Sequence, residues 1–141
     1  MTLFARLWAI PFFRFGVVGT GGFVVDTVVL YAMIIAGLDR YSGRLVSYFC
    51  AASFTWFGNR TITFAQSRAR GTAATVAEWL RFLLTNLGGG AVNYAVYAVL
   101  VTYSATVHEF PVLGVAAGAL SGMTVNFFAS RKLVFTSDPK R

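Results

Sequence analysis

Residues 14–31 read Arg-Phe-Gly-Val-Val-Gly-Thr-Gly-Gly-Phe-Val-Val-Asp-Thr-Val-Val-Leu-Tyr, a nearly unbroken apolar run that opens on a cation and carries one carboxylate, Asp26, in its interior. In water such a helix would be out of place; in lipid it has the length and polarity of a spanning segment. The pattern returns 67 positions later, where Arg81-Phe82 matches Arg14-Phe15, Gly88-Gly89 matches Gly21-Gly22, and Asn93 stands in the place of Asp26. A tandem duplication is expected, with one copy over about 14–64 and the other over about 81–135.

The rest of the composition agrees with a membrane setting. The 141 residues, one domain by size, are 57% hydrophobic and only 12% charged, with a mean hydropathy of +0.66, far from a soluble average. The formal charge of +7 does not point to nucleic acid, because the basic residues fall between apolar runs and form no stripe beside a soluble fold. Cys50 and His108 are the single cysteine and histidine, so neither an internal disulfide nor a Cys/His metal cluster is expected. Cys50 reads as a small packing residue.

Met1 to Pro11 form a short amphipathic segment, with Phe4, Leu7, Trp8 and Ile10 around Arg6, suited to the membrane interface. It is not a signal peptide, since the apolar run begins only after Arg14 and has no small-residue cleavage site before more apolar sequence. Four spans follow: Phe15 to Leu38, Arg44 to Asn59, Phe82 to Ala105, and Val112 to Ser130. The second is short, so Arg44 and Arg60 are expected to snorkel toward headgroups or to face protein or a wet region. A loop from Arg60 through Arg70 leads to Glu78-Trp79-Leu80-Arg81 at the interface.

This layout puts Arg6, Arg14, Arg60, Arg68, Arg70, Arg81, Arg131, Lys132, Lys140 and Arg141 on one side and only Arg40 and Arg44 on the other. The positive-inside rule then makes both termini cytoplasmic. Each copy holds two spans, so the copies share one orientation and are related by an axis along the membrane normal.

Small residues recur every fourth position in the second helix of each copy: Gly43, Ser47, Ala51, Thr55, Asn59, and Gly114, Gly118, Gly122, Asn126, Ser130. That spacing makes a groove in which another helix can lie close. Asn126 serves equally as interhelical glue or as a polar step in a path. Asp26 lies about 18 Å along its helix at 1.5 Å per residue, near mid-membrane. An ionised group there costs a few kcal/mol, so Asp26 should face a partner or water, or be protonated. With Asn59, Asn86, Asn93 and Asn126 it marks a polar seam that is either a register-fixing network or a path. Arg60, Arg131 and Lys132, where the second and fourth spans emerge, are either topology anchors or a phosphate clamp, with Arg44 as a counterpart on the outer side. Nothing reads as a nucleophile with its base, a P-loop or a metal site, so catalysis is not expected.

Several of these residues carry a family likeness. Arg14-Phe15 with the Gly-rich start of the first span, Phe57-Gly58-Asn59-Arg60-Thr61-Ile62-Thr63-Phe64, Glu78 with Arg81-Phe82, and Asn126-Phe127-Phe128-Ala129-Ser130-Arg131-Lys132-Leu133-Val134-Phe135 together resemble the GtrA-like family of small four-helix membrane proteins. The resemblance covers nearly the whole chain. It implies a role in cell-envelope glycosylation at a bacterial-type cytoplasmic membrane. There, such proteins are thought to move a sugar on a polyprenyl phosphate from the cytoplasmic to the outer leaflet, or to act as the membrane partner of the glycosyltransferase that makes it. Asn59-Arg60 and Ser130-Arg131-Lys132 differ, so the two half-sites would not be equivalent. No cofactor or ATP-binding element is expected, and four short helices make a homo-oligomer the natural assembly. A third reading, a small proton-coupled exporter with a lone carboxylate in its first helix, fits the strong charge bias least.

Overall fold

Two prolines set where the longest helices begin. Pro11 and Pro111 each occupy the first turn, where the missing N–H costs nothing and the fixed φ is already helical. The computed structural model describes residues 3–134, the side chain of Thr124 excepted. Among these the order is α1 (Leu3–Trp8), α2 (Pro11–Ile35), α3 (Arg40–Gly58) running into a π-helical turn (Asn59–Thr63), α4 (Thr72–Thr85), α5 (Leu87–Tyr103), α6 (Ala105–Glu109) and α7 (Pro111–Leu133). The chain is all-helical, without strands among the described residues. Phe135 and the tail cations Lys140 and Arg141 lie outside them.

The first helix starts earlier than the expected Phe15 and stops at Ile35, short of Leu38. Gly37, at φ +99°, takes the left-handed turn that ends it, and Leu38 N–H closes back on the Met33 carbonyl at 2.9 Å. Asp39 then caps α3 by accepting from the backbone N–H of Tyr41 (2.9 Å) and Ser42 (3.0 Å). The Ser42 side chain, and after it the Ser42 and Tyr41 amides, hold the Asp39 carboxyl below its ordinary value of 3.8. The cap is therefore fully formed above that pH and is lost as acid protonates it.

The third span differs more. Part of the expected loop between Arg60 and Arg81 is helical, as α4, whose Val76, Leu80 and Leu84 are exposed while Glu78 and Phe82 are buried. It meets α5 at a 48° bend. The bend centres on Asn86, whose side-chain amide donates to the Phe82 carbonyl at 2.7 Å, next to the run Gly88-Gly89-Gly90. A side chain competing for a carbonyl of the preceding turn, followed by glycines, is an ordinary cause of a kink.

Among the described residues α2 alone is long and apolar enough to cross a bilayer as a single straight helix; counting bent pairs raises the number to three at most, the others being α4–α5 and the two halves of α7. α3, with Arg40 and Arg44, is not among them. Its second arginine has a different use, described below.

α2 packs on α3, and α5 on α7, as two hairpins. They share a register. A Cβ on Gly43 would touch Leu30, and one on Gly114 would touch Tyr97; one on Gly22 would meet Thr55, and one on Gly89 would meet Asn126. Every residue of the second hairpin in these contacts sits at the offset the sequence gives, 67 for the first helix and 71 for the second. Burial follows suit: Phe15, Gly22, Asp26 and Leu30 are buried, as are Phe82, Gly89, Asn93 and Tyr97. Apolar clusters close both ends of the bundle. Phe15, Phe64, Phe82, Phe127 and Val134 form one, at the open end of the hairpins. Leu30, Tyr97, Val101, Val107 and Val115 form the other, at the loop end.

The glycines therefore divide into those that meet a neighbour and those that do not, and the division is testable. A Cβ on Gly118 would lie 2.7 Å from the Asn93 backbone oxygen, whereas one on Gly88 meets nothing within 4 Å. In detergent, Gly118→Ala should lower the thermal unfolding midpoint, with a cost of about 1–3 kcal/mol. Gly88→Ala should be neutral or gain up to about 1 kcal/mol from helix propensity.

Candidate functional site

Between the two clusters the interior turns polar. Asp26 on α2 pairs with Arg44 on α3, and Ser47, one turn further along α3, donates its hydroxyl to the same carboxylate oxygen at 2.6 Å. The other guanidinium nitrogen, Nη2, crosses to the second hairpin and donates to Asn93 Oδ1 at 2.6 Å. Tyr97 and Tyr48 flank the guanidinium, their ring centroids 5.2 Å and 5.7 Å from Cζ, within cation–π range. The Arg44 side chain is 0% exposed.

For Arg44 the sequence leaves two expectations, snorkelling outward to headgroups or a phosphate, or facing protein or a wet region. The structure turns it inward, and the reason is Asp26. A carboxylate at mid-span needs a counter-charge, and the planar guanidinium fork can serve a carboxylate and an amide at once. Hairpin geometry brings them together, since Asp26 and Ser47 lie about equally far from the turn at Gly37-Leu38-Asp39.

Toward the open end this cluster gives way to a cavity of about 350 Å³. All five residues of the expected seam line it: Asp26, Asn59, Asn86, Asn93 and Asn126. The cavity thus draws on both hairpins. Much of the remaining wall is small or apolar, including Ala51, Ala116 and Phe23, with Tyr48 and Thr55 adding hydroxyls.

The amides are not in equal states. Asn59 Oδ1 accepts from Thr63 Oγ1 at 2.8 Å within the π-helical turn. Asn86, besides its bond to Phe82, donates to Ser130 Oγ at 3.2 Å. Asn126 Oδ1 is buried with no hydrogen-bond partner among the described residues and presses on the α5 backbone at Gly89. A buried acceptor without a donor is costly, and this one is sealed against α5 with almost no accessible surface.

Among the described residues, the cations of the open end do not line this cavity. Arg60 Nη1 donates to Glu78 Oε1 at 2.6 Å, and Nη2 donates to the Ala69 carbonyl at 2.6 Å and to Thr75 at 3.1 Å, with Trp56 against its face. Glu78 also accepts from Trp56 Nε1 (3.2 Å) and Ala69 N–H (2.6 Å). Arg60 and Glu78 thus staple the end of α3 to α4 and the loop between them. Arg131 and Lys132 are exposed in the last turn of α7 and form no ion pair among the described residues.

Sequence reasoning found the seam but missed the pairing of Asp26 with Arg44 and the anchoring role of Glu78. Folding the first two helices back about the turn near Gly37 would have set Asp26 against the Arg44–Ser47 turn, and a lone carboxylate in a basic loop was the signal for Glu78.

Removing one member of the buried pair should cost about 3–5 kcal/mol, because the other is left charged and unpaired. Asp26→Leu and Arg44→Met should each lower the unfolding midpoint sharply in detergent. The double variant should recover most of the loss, giving a coupling energy well above 1 kcal/mol in a double-mutant cycle.

Comparison with known proteins was made on this framework. A family model described as GtrA/DPMS, transmembrane domain, matches residues 14–139, which takes in both hairpins, the ion pair and every residue of the seam. A search of curated proteins returned no match. With its apolar helices, the match makes this a membrane protein, and the chain belongs to the GtrA/DPMS transmembrane-domain family.

Proposed function

We propose that this protein moves a sugar linked to a polyprenyl phosphate from the cytoplasmic to the outer leaflet of a bacterial-type cytoplasmic membrane, as a carrier and not as an enzyme. The observation that carries the reading is the cavity between the hairpins, lined by four asparagines and by a carboxylate whose charge Arg44 cancels. Amides offer both donors and acceptors to hydroxyl groups. A charge-balanced interior lined in this way suits a sugar, while a phosphate finds its counter-charge at the rim.

The proposed arrangement has four spans, made by α2, α3, α4–α5 and α7, in two like-oriented copies of an ancestral hairpin with both termini cytoplasmic. Matched burial and matched helix register support the duplication. The distribution of cations supports the orientation. Arg131 and Lys132, exposed and without an ion-pair partner among the described residues, would draw the lipid phosphate to the cytoplasmic rim. Arg60 would hold α4 in place and reach a phosphate only by releasing Glu78. The isoprenoid tail stays in lipid, and movement is downhill or coupled elsewhere. Assembly as a homo-oligomer is part of the proposal. The pairing of Asp26 with Arg44 disfavours the proton-coupled exporter, which needs a free carboxylate in the first helix.

Exposed cations at the end of α7 also suit a second reading, a non-transporting anchor for a polyprenyl-phosphate glycosyltransferase. One experiment separates the two. Purified protein in liposomes with a labelled polyprenyl-phosphate sugar should speed its passage between leaflets. Asn126→Leu should slow that passage about 10-fold, the effect of one hydrogen bond worth ~1.4 kcal/mol. Arg131→Ala with Lys132→Ala should slow it further at low lipid concentration. No passage with wild-type protein, together with co-purification of a glycosyltransferase, would establish the anchor instead.

A further inference from the structure

Gly16 and Gly19 are not explained by helix packing. A Cβ built on either would meet nothing within 4 Å, whereas one on Gly21, Gly22, Gly58 or Gly89 would run into a neighbouring side chain. Both line the cavity, as does Thr20 next to Gly19, and across from them on α7 stand Ala119, Leu120 and Met123. The lining is buried where it meets Asp26 and Asn93, and buried again at Phe15, Asn59, Phe82 and Asn86. Thr20 and Leu120 are its exposed members. The cavity therefore reaches the surface sideways, between α2 and α7.

The height of that opening says what can reach it. Thr20 follows Pro11 by nine residues and Leu120 follows Pro111 by nine, about 14 Å along each helix, which is close to the middle of a hydrocarbon core ~30 Å thick. Toward the open end the gap is shut by Phe127, whose ring lies 4.9 Å from that of Phe12 and 5.1 Å from that of Phe15. Toward the loop end Leu30 of α2 and Val115 of α7 belong to one buried cluster. A mouth at this depth, closed above and below, faces acyl chains. Solutes dissolved in water do not meet it.

We propose that the window between α2 and α7 is a lateral entrance through which a membrane-resident amphiphile passes its headgroup into the cavity. Gly16 and Gly19 leave room for the first part of its tail. Asn126, on the α7 side, is among the amides that line the cavity beyond the window. The direction of entry follows from the geometry alone; the identity of the headgroup rests on the transport reading above.

The test uses full-length protein in lipid vesicles and a polyprenyl phosphate that carries a photoactivatable diazirine in its tail and no sugar. After irradiation, mass spectrometry should find the label on residues 16–23 and 116–123. In the double variant Gly16→Leu/Gly19→Leu that labelling should fall at least 10-fold. The unfolding midpoint should hold, because a Cβ at either site meets no neighbour. Should the double variant fail to fold, Thr20→Trp at the exposed rim carries the same expectation. Label confined to α3 or α5, or unchanged by the variants, overturns the proposal. So does efficient disulfide dimerisation of Gly19→Cys in a Cys50→Ser background, which would show a second copy covering the window. Entry and transport fail separately. Label in the window without sugar passage keeps the entrance and rejects the carrier; passage without label there does the reverse.

Discussion

The buried pair of Asp26 and Arg44 is the constraint around which the rest is arranged. Two charges at mid-span are tolerated only if each satisfies the other and the leftover hydrogen-bonding capacity finds partners. Here Ser47 and Asn93 supply part of that capacity and two tyrosine rings cover the guanidinium, while Arg44 Nε is buried without a hydrogen-bond partner among the described residues. Because Asn93 belongs to the second hairpin, the same side chain that neutralises the carboxylate also fixes how the hairpins stand to one another. An ammonium could match the charge, but it lacks the flat fork that reaches two acceptors on different helices.

The corresponding positions of the two hairpins make clear why one such pair suffices. Where the first hairpin has Asp26, Arg44 and Ser47, the second has Asn93, Val115 and Gly118. A second arginine at position 115 would bring another cation beside the first, with no carboxylate at 93 to meet it. The amide at 93 instead accepts from Arg44, and Gly118 lets α7 come against Asn93 at distances no Cβ would allow. Matching backbones thus carry complementary side chains: one hairpin supplies the charge and the other closes round it.

How much of this the sequence revealed depended on whether the governing interaction was local. Apolar runs, prolines, the offset of the repeat and the fourfold spacing of small residues all act within a helix or between its nearest partners. They correctly placed α2, α7 and the helix faces that meet. The five seam residues were legible for the same reason, since polar side chains on a buried helix face have nowhere to point but inward. The destinations of Arg44 and Arg60 were not legible, because a cation near a helix end snorkels or turns inward according to what lies across from it. α4 was hidden by its polar flanks, and the bend at Asn86 by a side chain whose choice of the Phe82 carbonyl leaves no pattern in composition.

Polar lining and membrane insertion make opposed demands on a chain this small. The hydroxyl-bearing cargo proposed above would need donors and acceptors at mid-depth, yet each unpaired charge there costs a few kcal/mol. The answer in these helices is to let asparagines carry the hydrogen-bonding surface and to confine ionised groups to one internally neutral pair at the loop end of the cavity. Amides kinked into or pressed against neighbouring helices keep some of their capacity satisfied by the protein, as Asn59 and Asn86 do. Among the described residues, Arg131 and Lys132 stand at the open end, outside the cavity. On the proposed reading, an anionic group would be drawn to the rim and would find no net charge further in, so phosphate and sugar would be sorted by depth before any helix has to move.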